Sequence, residues 1–348
     1  MARAVPADGS VRRARPSIYD VARAAGVSHM TVSRVLNDHP NIKDSTRASV
    51  LEAIDALGYT RSTIARALAT RRAMRLGVIV DTATEFGPGN TVTAIQRAAR
   101  RAGYSVSTFS VGSDTGTALE DGLTELIGQG VEALCLVAPR AASLGTFEAR
   151  RSAVPTLVVQ SEAHSDLLTV AVDQEAGTRL AVQHLLDLGH RSILHLSGPL
   201  DWLDAHARHV AFTTVVQEAG LPPMRSVEGD WSSDSGYAVG RDGDLVGDVT
   251  AVFASNDQMA LGLLHGLHER GVRVPEDVSV VGFDDTPDSR HLLPPLTTVD
   301  QDFEALGTLI VDHLLAAIGG SEAGGDRLIT PRLVVRESTA APRGHAPG

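Results

Sequence analysis

Cysteine is almost absent: Cys135, inside the apolar run ALCLVA, is the only one in 348 residues. A lone thiol excludes a disulfide framework and a cysteine-rich metal site, and its setting reads as a buried strand position. No apolar run approaches the roughly 18–20 residues that a membrane span needs. The first fifteen residues carry Arg3, Arg12, Arg13 and Arg15 but no apolar core of a signal peptide. They read as a disordered basic arm (1–15), and the chain as cytoplasmic. No G-x-G-x-x-G follows the first strand pattern, and no G-x-x-x-x-G-K-[ST] occurs, so no nucleotide site or cofactor is indicated. Nothing of the G-x-S-x-G type is present either. An enzyme such as a sugar dehydrogenase or kinase is disfavoured. His206/His209 and His265/His268 have a metal-like i,i+3 spacing, but no cysteine or carboxylate completes a site. They read as solvated histidines, and no metal is expected.

The chain also lacks net positive charge, standing at −11. The distribution matters more. Residues 1–75 hold 13 Lys+Arg and 6 Asp+Glu, a balance of +7, so the rest holds 18 and 36, a balance of −18. A basic head on an acidic body suits a protein whose head alone meets phosphate.

What is present begins with PSIYDVARAAGVSHMTVSRVLN, residues 16–37. Ser17 and Asp20 form a capping-box pattern, and Val21, Ala22 and Ala25 recur at helical spacing. Gly26 suits a helix stop. Ser28 is a second N-cap, before a stripe of Val32, Val35 and Leu36. His29, Met30, Thr31, Ser33 and Arg34 fall on or near the outer face. This is a helix-turn-helix pattern whose second helix can enter a DNA major groove. A third helix is expected over about 46–57, with Val50, Leu51, Ile54 and Leu57 inward and Gly58 as its stop. TRSTIARALAT (60–70) is too weakly amphipathic to bury much alone.

From Leu76 onward strand and helix patterns alternate, which means parallel, doubly wound α/β sheets. The strand count exceeds one sheet, so two lobes are expected. Ligands sit beyond the carboxyl ends of such strands. The polar residues there are Asp81, Gln160, Asn256-Asp257 and Asp284-Asp285. Trp231 follows a short strand and Arg208 lies early in a helix. Acids, an arginine and an aromatic plate are the equipment for a sugar.

The sequence resembles the lactose-repressor (LacI/GalR) family of transcription regulators. The residues that carry this are Ile18–Ala22, Ala25–Ser28, Thr31–Asn37, Gly58-Tyr59 and the body stretches GTRLAVQHLLDLGHRSILHLSGP, EGDWS, SNDQMALG, SVVGFDDT and PPLTTVDQDF. The body stretches resemble the lactose-repressor branch itself. The resemblance implies a small all-α helix-turn-helix domain plus a two-lobed α/β domain like the periplasmic binding proteins. It implies DNA contacts from Ser17, Tyr19, Ser28, His29, Met30, Thr31, Ser33, Arg34 and Asn37. His29 and Met30 would choose bases, Arg34 would read guanine, and the hydroxyl and amide residues would mainly hold phosphate. It implies a hinge helix with Ala65 at a close helix approach and Leu68 as a minor-groove wedge. Arg61 stands where many relatives have proline. It places effector contacts at Asp81, Gln160, Arg208, Trp231, Asn256, Asp284 and Phe303, with Gln301 near the same cleft.

The expected domains are a head at 16–60, a hinge at 61–75 and an effector-binding and dimerisation body at 76–338. Lobe 1 would take about 76–172 and 303–330, lobe 2 about 173–300 and 331–338. Residues 339–348 read as a disordered tail, and the chain's closing stretch, STAAPRGHAPG (338–348), lacks leucine heptads, so a homodimer is expected. The expected function is a repressor on pseudo-palindromic double-stranded operator DNA, released by a small sugar. A galactoside and a glucoside are the candidates, because Asp81 and Gln160 depart from the galactoside pattern. The alternatives are the sugar-binding module of an uptake system, or corepressor or activator logic within the family.

Overall fold

The computed structural model describes residues 16–37, 39–59, 72–80, 82, 85–112, 115–137, 140, 144, 154–160, 168–246, 248–321 and 327–343. The basic arm, Asp81 and the hinge residues Arg61, Ala65 and Leu68 lie outside them. The chain divides into two compact units, Met1–Ala73 and Met74–Gly348.

The first unit contains α1 (Ile18–Ala24), α2 (His29–Leu36) and α3 (Asp44–Leu57). Each helix end follows from a local choice. Ser17 and Asp20 make a reciprocal capping box at α1, and the Ser28 hydroxyl accepts from Thr31 N–H at α2. Gly58 ends α3 in the left-handed conformation, which glycine adopts without a Cβ penalty. Val21, Ala22, Val32, Val35, Val50 and Ala53 form the core. Leu51, expected inward, is 49% exposed, because it lies 100° round the helix from Val50. Leu57 is also exposed, and Ala53 takes the inner position.

The second unit has two parallel sheets. The first runs β11-β5-β4-β3-β1-β2, built from β1 (Arg75–Val80), β2 (Ser105–Ser110), β3 (Ala133–Val137), β4 (Thr156–Val159), β5 (Leu168–Val172) and β11 (Leu328–Ile329). The second runs β7-β6-β8-β9, from β6 (Ile193–Ser197), β7 (Ser226–Glu228), β8 (Ala251–Ala254) and β9 (Ser279–Val281). β10 (Thr298–Asp300) and β12 (Arg332–Val334) form an antiparallel pair. β3, β6 and β8 are buried along their whole length, which is why they read as unbroken apolar runs.

The helices are α4 (Phe86–Arg101), α5 (Thr115–Gly128), α6 (Gln174–Asp187), α7 (Leu203–Glu218), α8 (Ser233–Arg241), α9 (Asp257–Glu269) and α10 (Phe303–Ile318). Gly87-Pro88-Gly89 looks like a loop, yet proline is tolerated in a first turn whose N–H groups have no partner. α8 and α9 meet backbone to backbone. A Cβ on Gly262 would stand 1.7 Å from the Ser233 carbonyl oxygen, and one on Gly236 2.0 Å from that of Met259. This contact holds the start of α8, two residues after Trp231. α10 packs on α4, with Gly307 against the Ala94 backbone.

The tail expectation needs correction at its start. Ser338 is fully buried, the Thr339 hydroxyl lies 2.9 Å from His184 Nε2, and Ala340 N–H donates to Ser279 Oγ at 3.0 Å. Backbone polar groups next to a buried strand need partners, and 336–340 supply them. Only 344–348 lie outside the described residues. Among the described residues, no helix is long and apolar enough to cross a membrane. No group of three or more His, Cys, Asp or Glu is placed to hold a metal.

Candidate functional site

The outer face of the head is polar and open. Tyr19 is 60% and Met30 55% exposed. The rings of Tyr19 and His29 are 5.1 Å apart, so α1 braces the first residue of α2. Arg34 is exposed, with no side-chain hydrogen bond or ion pair among the described residues. Its guanidinium keeps all its donors. Ser17 does not. Its hydroxyl donates to Asp20 Oδ2 at 2.7 Å and accepts from Asp20 N–H, and its own N–H goes to the same carboxylate. A phosphate contact from Ser17 therefore competes with the capping box. Ser28 likewise caps α2 and pairs with Thr31 Oγ1 at 2.9 Å, while Asn37 Nδ2 donates to the Ser33 carbonyl at 2.9 Å. Each keeps hydrogen-bonding capacity to spare.

The second cluster is a cleft in the body, about 660 Å³ of empty space that opens to solvent. Residues from both sheets line it. Arg208, Trp231, Asn256, Asp284, Gln301 and Phe303 all do so. Sequence separation of almost a hundred residues, from 208 to 303, collapses here because strand ends converge.

A chain of hydrogen bonds crosses the floor. Arg208 Nε donates to Gln174 Oε1 at 2.8 Å, Gln174 Nε2 to Gln301 Oε1 at 3.2 Å, and Gln301 Nε2 to Asp284 Oδ1 at 2.6 Å. Arg208 Nη1 also donates to the Ser255 carbonyl, and its guanidinium lies 3.8 Å over the Phe283 ring. Burial pushes the Asp284 carboxyl up to about 8, although Arg208 pulls the other way. A neutral Asp284 both donates and accepts, as a sugar hydroxyl does. Asp284 and Trp231 sit at φ 118° and 70°, a backbone region that non-glycine residues avoid. Such strain persists only where the surroundings enforce it.

One buried group pins the loop after Asp284, and another, His195, sits behind Ser255. Asp257 accepts from Thr286 N–H at 2.8 Å and Thr298 Oγ1 at 2.6 Å, which pins the loop after Asp284; burial lifts its carboxyl to about 6. His195 stacks on Phe253 and Phe212, with ring centroids 5.2 and 4.7 Å away, and its Nε2 lies 2.9 Å from Ser255 Oγ. Burial drives it down to about 3, so it is a neutral spacer.

Two sequence expectations change. Gln160 does not line the cleft: Val159 takes that position at the end of β4, and strand alternation turns the next side chain to the other face. Gln160 is buried, and its amide has no hydrogen-bond partner among the described residues. Asn256 lines the cleft, but its amide caps α9 through Met259 N–H and holds the Trp231 carbonyl at 3.0 Å. It positions Trp231 more than it offers itself. Asp81 lies outside the described residues. Sequence reasoning missed Glu85, Phe86, Gln174, Trp202 and Asp204, all of which line the cleft. The strand-end rule reaches Gln174 after β5 and Trp202 after β6, had it been applied there.

Trp202 also ties the lobes. It makes an antiparallel bridge with Arg140, whose guanidinium lies 5.3 Å from the Trp202 ring centre and pairs with Asp201 at 3.6 Å.

Residues 17–62 match the model for bacterial regulatory proteins of the lacI family, and residues 182–339 match that for a periplasmic binding protein-like domain. The lactose operon repressor of Escherichia coli (strain K12) is 36% identical over 328 residues, covering 94% of this chain and 91% of the repressor. Among solved structures, the lac repressor dimer bound to operator and the anti-inducer ONPF superposes with a TM-score of 0.85 at 35% identity, over 94% of this chain and 100% of that one. The transcriptional regulator CelR in complex with cellobiose gives a TM-score of 0.70 at 31% identity, over 93% and 100%. With a capped helix-turn-helix in its first unit, a strained polar cleft in its second, and relatives alike along almost their whole length, the chain is a member of the LacI family of bacterial regulatory proteins.

Proposed function

We propose that the chain is a cytoplasmic transcriptional repressor that binds a pseudo-palindromic operator as a homodimer and leaves it when a small sugar enters the cleft. It is no enzyme: the cleft holds binding groups, and its relatives are regulators. The observation that carries the reading is the presence, in one chain, of an unpaired, exposed Arg34 on a helix-turn-helix and a cleft that joins indole faces to a polar network. Bidentate groups hold vicinal hydroxyls, and an indole face covers the apolar side of a pyranose ring. The likeness to the lactose operon repressor and to CelR in complex with cellobiose supports a galactoside or a glucoside as the effector class.

The effector shifts the equilibrium only by its difference in affinity for the two body states. Residues 61–75, with Ala65 and Leu68, are the proposed hinge that reads this difference on DNA. A helix this short is marginal alone and gains stability from a partner. Release of promoter DNA from the gene's own neighbourhood, measured against a panel of mono- and disaccharides, tests the reading. Release by one sugar supports it. Tighter binding with sugar would mean corepressor logic, and no sugar dependence at all would overturn the effector assignment.

A further inference from the structure

The geometry points to an effector that carries a positively charged amine: an amino sugar, in preference to its neutral parent. This rests on the reading of the cleft as the effector site. Three carboxyl groups line it, those of Glu85, Asp204 and Asp284, the last kept neutral by its burial, against one guanidinium, that of Arg208. The guanidinium is already engaged by Gln174 and the Ser255 carbonyl. Asp284 has Gln301 as a donor. The side chains of Glu85 and Asp204 make no hydrogen bond and no ion pair with any described residue, although Arg208 attracts the Asp204 carboxylate without touching it. Asp230, next to the cleft-lining Trp231, repels Glu85 and adds a further negative charge beside those of Glu85 and Asp204. Arg140, the other cation at hand, is paired with Asp201 at 3.6 Å.

A second observation marks a ligand's place. The Trp231 side chain is 92% buried in the cleft wall, and its indole N–H has no acceptor among the described residues. Trp202 stands edge-on to it, ring centres 6.0 Å apart. A sugar oxygen answers the indole N–H, and an ammonium answers the two idle carboxylates with three donors. Burial raises the carboxyls of both Glu85 and Asp204, with Asp230 adding to the rise at Glu85 and Arg208 opposing it at Asp204.

The test uses the full chain and its own fluorescence, since Trp202 and Trp231 are its only two tryptophans and both line the cleft. The probes are matched pairs: glucosamine with glucose, galactosamine with galactose, and the glucosamine disaccharide with cellobiose, each amine also in its N-acetyl form. In at least one pair the amine should bind about tenfold or more tighter than its neutral parent. N-acetylation, which keeps the nitrogen and removes the charge, should return affinity to the parent's level. Glu85→Gln with Asp204→Asn, checked by thermal melting, should bring the ratio close to one. Neutral sugars binding as tightly as the amines, or more tightly, would overturn the proposal and leave the sugar reading standing. Binding by neither class, confirmed by calorimetry, would overturn the sugar reading and this proposal with it.

Discussion

The head and the cleft solve recognition in opposite ways. The head keeps its working groups outside: Tyr19, His29, Met30 and Arg34 stand in solvent on helices whose apolar stripes close a small core. Every one of them lies within about twenty residues of the others. The cleft keeps its working groups inside: Arg208 is 4% and Asp284 6% exposed, and both depend on partners far away in sequence. The head needs little support because water solvates whatever DNA does not touch. The cleft needs a supporting shell, because an unpaired buried charge or polar group is costly. His195, Asp257, Asn256 and Gln301 are that shell.

The comparison breaks hardest at the support for the cleft. Gly262→Ala puts a methyl group 1.7 Å from the Ser233 carbonyl oxygen, which neither helix backbone can avoid. It should cost several kcal/mol, read as a large fall in melting temperature. A melt within 1–2 °C of wild type would show that α8 and α9 separate cheaply, a threshold set by about 0.5 kcal/mol in a domain of this size. Trp231→Ala should abolish sugar-dependent operator release; an unchanged release curve removes Trp231 from the site.

On the head, Arg34→Ala should weaken operator binding by about 1–3 kcal/mol, roughly 10–100-fold, and relax preference at one base pair. A uniform loss across all sequences would make Arg34 a phosphate contact instead.

Asp284→Asn probes the cost of the buried acid. The Asp284 carboxyl ionises near 3.8 when free but near 8 in the folded protein. Between those values folding takes up a proton, so this group's contribution to stability falls as pH rises. The asparagine variant removes that fall and should be more stable than wild type at pH 8 by more than about 1 kcal/mol. Equal melting of the two proteins from pH 5 to pH 8 would contradict it. Ser17→Ala is the smallest change, about 1 kcal/mol of head stability from the lost cap. A larger loss on operator DNA than in free solution would restore a phosphate role to Ser17.

These contrasts explain what was legible beforehand. The head could be read closely because capping, glycine stops and a 3.6-residue period are local signals, and the outward residues are those left over. The sheets could be read because buried parallel strands are apolar runs. β3, β4 and β8 coincide with such runs, ALCLV, TLVV and AVFA. α8 was missed because its glycines, poor helix formers by propensity, are there for close packing against α9. Gln160 was misplaced because strand-end position says which residue is near a cleft, and alternation decides which side chain enters it.

By itself the sequence determined that this is a basic helix-turn-helix on an acidic two-lobed α/β body, because charge distribution and periodicity are properties of the chain. Only the tertiary structure decided which polar groups meet in the cleft. Glu85, Gln174, Trp202, Asp204 and Asp284 come from four stretches that strand order alone brings together. It also decided which of them are already paired, because hydrogen-bond partners are fixed in space, where burial leaves each polar group only its neighbours.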